Sequence, residues 1–113
     1  MTPQALEAAA LSLPAATLSV QWGAERVFKV GGRMFAVASP DGGLSFKATD
    51  IAYEALIESG AARPAPYLAR ARWVRFDDLT ALDTDEVTAW LATAHALVSA
   101  KLTRAQRREL GLA

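Results

Sequence analysis

The residues in this chain best suited to chemistry are cations and aromatics. Arg63, Arg70, Arg72 and Arg75 fall within thirteen residues, close to Tyr67 and Trp73, and Lys101, Arg104, Arg107 and Arg108 cluster near the C-terminus. Guanidinium forks pair with phosphate or carboxylate, and an indole or phenol ring offers a stacking surface, so the pattern fits recognition of an anion or a base. The same arginines also fit a plainer role as solvated residues of loops and helix ends. Groups for catalysis are scarce. Cysteine is absent, which removes disulfides, thiolate chemistry and Cys-based metal sites. His95 is the one histidine; Ser99 shares its helical face, but no acid orients the pair and no carboxylate stands at ligand spacing. His95 therefore reads as a structural or surface residue. Asp77, Asp78, Asp83, Asp85 and Glu86 read as a polar loop and helix N-terminus rather than a hard-cation site. Gly31–Gly32 and Gly42–Gly43 lack the spacing of a phosphate-binding loop and are turn residues. The expectation is a non-enzymatic protein without metal or cofactor.

Composition narrows the classes further. The 113 residues, 52% of them hydrophobic, predict a single domain over 1–113 with a core of its own. Twelve basic and twelve acidic residues cancel, so no global field recruits nucleic acid or membrane, and electrostatic binding must come from local segregation of charge. No apolar run approaches the roughly 20 residues of a membrane span. The alanine-rich N-terminal run has no basic start, contains Glu7 and is bounded by Pro3 and Pro14, so it is expected to be a helix of the domain rather than a signal peptide. A cytoplasmic monomer is the expectation.

The elements that must position these groups are legible from periodicity. Thr2 and Pro3 suit a helix start, with Leu6, Ala9, Ala10 and Leu13 at helical spacing. Thr17 to Trp22 alternates as a half-buried strand with Leu18, Val20 and Trp22 on one side. Val27 to Val37 then reads VFKVGGRMFAV, two strands about a Gly-Gly turn. A two-residue loop sets Val30 opposite Arg33, Lys29 opposite Met34, Phe28 opposite Phe35 and Val27 opposite Ala36. Phe28, Val30, Phe35 and Val37 then share a core face, and Val27, Lys29, Met34 and Ala36 the other. Leu44 to Ala48 is a further strand. A helix from Thr49 or Asp50 to about Gly60 has Ile51, Ala52, Ala55 and Leu56 on one stripe. Pro64 and Pro66 make the next segment a loop without regular structure. Trp73 to Phe76 is a last strand, with Val74 and Phe76 inward and Trp73 and Arg75 outward. Asp83 and Glu86 open a long helix with Val87, Trp90, Leu91, Ala94, Val98 and Lys101 on one face, and Thr103 and Gln106 open a short terminal one.

This order, α-β-β-β-β-α-β-α-α, predicts an α+β fold: an antiparallel sheet with helices packed on one face. The opposite face then gathers Lys29, Lys47, Arg75, Trp73, Met34 and Ser45, either as ordinary solvated surface or as a platform where a base stacks and a phosphate is neutralised.

Four collinear blocks, VFKVGGRMFAV, LSFKATDIAYEAL, PAPYLARARWVRF and AHALVSAKLTRAQRREL, resemble the MmcQ/YjbR family from Trp22 to Leu110. The resemblance implies a fold similar to the bacterial frataxin homologue CyaY, and DNA binding through what is described as a double-wing motif. Many members have a block of the form PGYHMNKKHW, which aligns here with Pro64 through Trp73. Pro64 and Trp73 match and Arg70 keeps the positive charge, whereas Tyr67 and Arg72 replace the two histidines and Ala69 the asparagine. A role resting on cationic charge and an aromatic ring survives these changes, and one resting on imidazole does not. Lys101, Leu102, Arg104 and Arg107 follow the family's basic KLPKK-type run, with Thr103 in place of proline. The iron-binding acids of frataxins have no counterpart, since the first helix has only Glu7. The expected binding residues are Lys29, Lys47, Tyr67, Arg70, Arg72, Trp73, Arg75 and Lys101. The expected partner is DNA, held weakly and salt-dependently, or alternatively a small anionic or aromatic molecule or a protein.

Overall fold

The computed structural model describes residues 1–112. Its elements run α1 (Pro3–Leu11), β1 (Ala16–Gln21), β2 (Glu25–Val30), β3 (Arg33–Ala38), β4 (Leu44–Lys47), α2 (Asp50–Glu58), β5 (Arg63–Pro64), β6 (Trp73–Phe76), α3 (Thr84–Ser99) and α4 (Arg104–Glu109). The strands form one antiparallel sheet in the order β1-β2-β3-β4-β6-β5. The fold is α+β as the periodicity predicts, with one addition. Arg63 and Pro64, expected in a loop, pair with Arg75 and Val74 at the sheet edge, where a proline without an N–H is tolerated.

Helix starts follow the sequence closely. The side chains of Thr2, Thr49, Asp83 and Thr103 each accept a hydrogen bond from the backbone N–H three residues on, satisfying donors that a helix start leaves free. At α4 the box is reciprocal, because the Gln106 side chain also accepts from the Thr103 N–H. Two stripes differ from expectation. Helix α2 packs through Ala52, Tyr53, Leu56 and Ile57, leaving Ile51 exposed, and α3 ends at Ser99, so Lys101 lies in the turn beyond it.

The main core lies between the sheet and the helices, and includes Leu6, Phe28, Val30, Phe35, Leu44, Phe46, Val74, Phe76, Val87 and Leu91. Phe46, Phe76 and Trp90 form a cluster of near-parallel rings, each in contact with the other two, with centroids 5.0 to 6.0 Å apart. His95 is buried here too. Its Nε2 lies 2.7 Å from the Pro14 carbonyl, and its ring stands edge-on to Phe35. A carbonyl can only accept, so Nε2 holds the proton and the imidazole fastens α3 to the α1–β1 connection.

The hairpin register holds for two pairs and then shifts. Val30 faces Arg33 and Lys29 faces Met34, but Phe28 faces Ala36 and Val27 faces Val37. Phe35 is the extra residue of a β-bulge, so Phe35 and Ala36 both enter the main core while Val37 turns to the opposite face. The expected placements of Ala36 and Val37 are thus exchanged.

Candidate functional site

The sheet face opposite the helices is where the binding residues were expected to meet. It is not open throughout. Residues 65–72 fold back over it, anchored by Ala65 and Leu68, and Trp73 is sandwiched beneath them with Val27, Val37 and Met34. Trp73 is only 4% exposed, so it is a small second core and not the stacking platform its position in the alternation predicts. The backbone makes this return through left-handed residues at Tyr67 (φ 66°) and Arg72 (φ 63°) and a 3₁₀ turn at Ala69–Ala71.

The cations divide into two groups. Arg75, with a 13% exposed side chain, donates through Nε to Asp77 at 3.0 Å and through Nη2 to Asp41 at 2.9 Å, and reaches Ser39 at 3.3 Å. Burial opposes its charge, but the bonds to Asp77 and Asp41 outweigh that and raise its pKa above the usual arginine value. Arg63 grips the same Asp77 at 2.9 Å. Arg72 reaches Asp50 at 3.2 Å and Glu54 at 3.4 Å, and lies over the Tyr53 ring. These three guanidinium groups are committed to internal carboxylates. Arg72 and Arg75, both expected among the binding residues, thus already have carboxylate partners within the chain, with which a ligand would have to compete.

No ion pair among the described residues engages Lys29, Arg33, Lys47, Arg70 or Lys101. Three of them converge. Arg33 from the hairpin tip, Lys47 from the end of β4 and Lys101 from the turn after α3 line a basin of about 260 Å³, together with Met34, Ala71, Trp73 and Val98. None of these lining residues is acidic. Lys47 Nζ donates to the Ala71 carbonyl at 2.6 Å. Its pKa is pushed below the usual lysine value by burial first and by the nearby Lys101 second, with Asp50 acting in the opposite direction. Two ammonium groups close enough to repel, with an arginine beside them, make a place where an anion relieves strain. Arg33 is the member that sequence reasoning missed. Its signal was available in its position beside Gly32, since a hairpin tip projects its side chains past the end of the sheet.

Tyr67 and Arg70 are exposed on the covering segment but do not line this basin. Tyr67 instead borders a second depression, a groove of about 490 Å³ near the other end of the same face. Its lining includes Trp22, Glu25, Met34, Val37, Ser39 and Arg75. Trp22 was expected on the same side of its strand as Leu18 and Val20. Its left-handed backbone, φ 49°, ends the strand alternation and carries the indole to the opposite face.

No curated protein matches the chain. Among solved structures, the crystal structure of Deinococcus radiodurans protein DR2400, described by its DUF419 domain, is similar at a TM-score of 0.82 and 26% identity, over 96% of this chain and 86% of that one. The family model described as YjbR matches residues 11–97. That match takes in the whole sheet, α2 and most of α3, and the chain belongs to the YjbR family.

Proposed function

We propose that this protein is a non-enzymatic, cytoplasmic monomer that binds the phosphate backbone of DNA through Arg33, Lys47 and Lys101, with Lys29 and Arg70 as further cations available to the backbone. The observation that carries this reading is the basin itself, in which three cations from separate elements converge with no carboxylate among the lining residues. Phosphate contacts give affinity and orientation without reading sequence, which suits a site with no element shaped for a major groove. The reading includes no catalytic step. The histidine is engaged by Pro14, and three of the arginines neighbouring Trp73 are engaged by carboxylates.

Fluorescence anisotropy with a short labelled duplex tests it. For about three neutralised phosphates, affinity should fall about 40-fold between about 50 and 200 mM salt. Lys101→Glu should weaken binding at low salt and flatten the salt dependence, whereas Arg75→Met should leave both unchanged in the folded protein. Undetectable affinity at low salt, or equal affinity of Lys101→Glu and wild type, overturns the proposal.

A further inference from the structure

The second depression has a chemistry opposite to the first. Its lining is largely apolar, from Met34, Val37, Ala65, Pro66 and Leu68, and two large aromatics stand at its rim. Trp22 is 66% exposed and Tyr67 is fully exposed. Both hold left-handed backbone conformations, which bulky side chains rarely adopt and which persist only where the surrounding structure enforces them. Glu25 also lines the groove, and no hydrogen bond or ion pair among the described residues engages its carboxylate, one oxygen of which, Oε2, is buried. The cross-strand neighbour able to donate, Gln21, gives its side-chain N–H to Ser19 at 3.0 Å instead. Arg75 lines the groove too, but its charge is matched by Asp41 and Asp77. Glu25 is thus the acidic residue of the groove without a partner among the described residues.

We infer that this groove binds a small organic cation, a planar or aromatic body bearing charged N–H donors, with the donors on Glu25 and the flat body against Trp22 and Tyr67. The volume is that of a small-molecule site, and apolar walls with one placed polar group are its usual composition. Aromatic faces attract cations, and a charge-assisted hydrogen bond to a carboxylate sheltered from water adds orientation. The site is separate from the phosphate-binding basin and of opposite charge, with Met34 as the wall they share.

Calorimetric titration of the full chain with four probes of similar shape tests the inference. Benzamidine is planar, cationic and an N–H donor; benzamide keeps one NH2 donor group without the charge; phenyltrimethylammonium keeps the charge without donors; benzoate reverses the charge. Benzamidine should bind, benzamide and phenyltrimethylammonium about tenfold more weakly, and benzoate least of all. Glu25→Gln should reduce benzamidine binding about tenfold. Tyr67→Asn, at an exposed position where asparagine accepts the left-handed conformation, should also weaken it and serves as the test if Glu25→Gln fails to fold. Lys101→Glu should leave it unaltered. Absence of benzamidine binding at about 10 mM, benzoate binding as tightly as benzamidine, or a folded Glu25→Gln or Tyr67→Asn variant with wild-type affinity overturns it.

Discussion

Arg75 shows how one side chain decides what a surface can bind. Its guanidinium spans from the β3–β4 turn to the end of β6, so phosphate recruitment there would first have to break bonds to Asp41 and Asp77. The carboxylates respond in turn. The Asp41 pKa lies below the usual carboxylate value, mainly because the Gly43 N–H donates to it and next because Arg75 does. The Asp77 pKa is lowered by Arg63 first and Arg75 second. Both folded-state values lie below the ordinary 3.8, so the stabilisation is complete above that pH and is lost as pH falls through the depressed folded values. Urea unfolding across an acid pH series should therefore show stability falling below about pH 4. In Asp77→Asn the fall should be shallower, because one of the two linked protons is gone. An unchanged acid limb in that variant would mean that other carboxylates set it.

At the scale of elements, the β2–β3 hairpin is fixed by its turn and by what the turn touches. Gly31 and Gly32 both have positive φ, 59° and 78°, as a two-residue hairpin loop of this hand requires. Only Gly31 is crowded. A Cβ there would come within 2.8 Å of the Leu102 side chain, while one at Gly32 would meet open space. Leu102 belongs to the main core, so the turn is packed against the α3–α4 connection. Gly32→Ala should cost about 1 kcal/mol through backbone strain alone. Gly31→Ala should cost more, about 2–3 kcal/mol, because the same strain is joined by displacement of Leu102. Chemical denaturation of the two variants measures the difference, and equal costs would show that Leu102 yields freely. Arg33 follows this turn directly, so Gly31→Ala should also disturb the basin.

For the molecule as a whole, most local patterns were read correctly, the apolar stripe of α2 and the end of α3 excepted. Four helix caps, the Gly-Gly turn and the inward residues of β4 and β6 follow from residue type and spacing over a few positions. Most of what escaped was set by distant contacts. Nothing near Trp73 in sequence indicates that residues 65–72 return to cover it, and the ion pairs that occupy Arg72 and Arg75 come from α2 and from the β3–β4 turn. The basin likewise joins three elements whose cations are far apart in the chain, so Lys47 and Lys101 were legible as charges but their meeting with Arg33 was not. The bulge at Phe35 belongs with these, and it bears on chain length. Because Phe35 and Ala36 both point inward, removing Phe35 would restore an unbroken ladder while leaving Ala36 and Val37 on the faces they now occupy. Deletion of Phe35 and Phe35→Ala should then destabilise by similar amounts, about 3–5 kcal/mol, both through loss of the buried ring. A deletion costing far more would show that the bulge itself holds the sheet. Equal costs would make position 35 a place where this hairpin can change length by one residue without turning itself inside out.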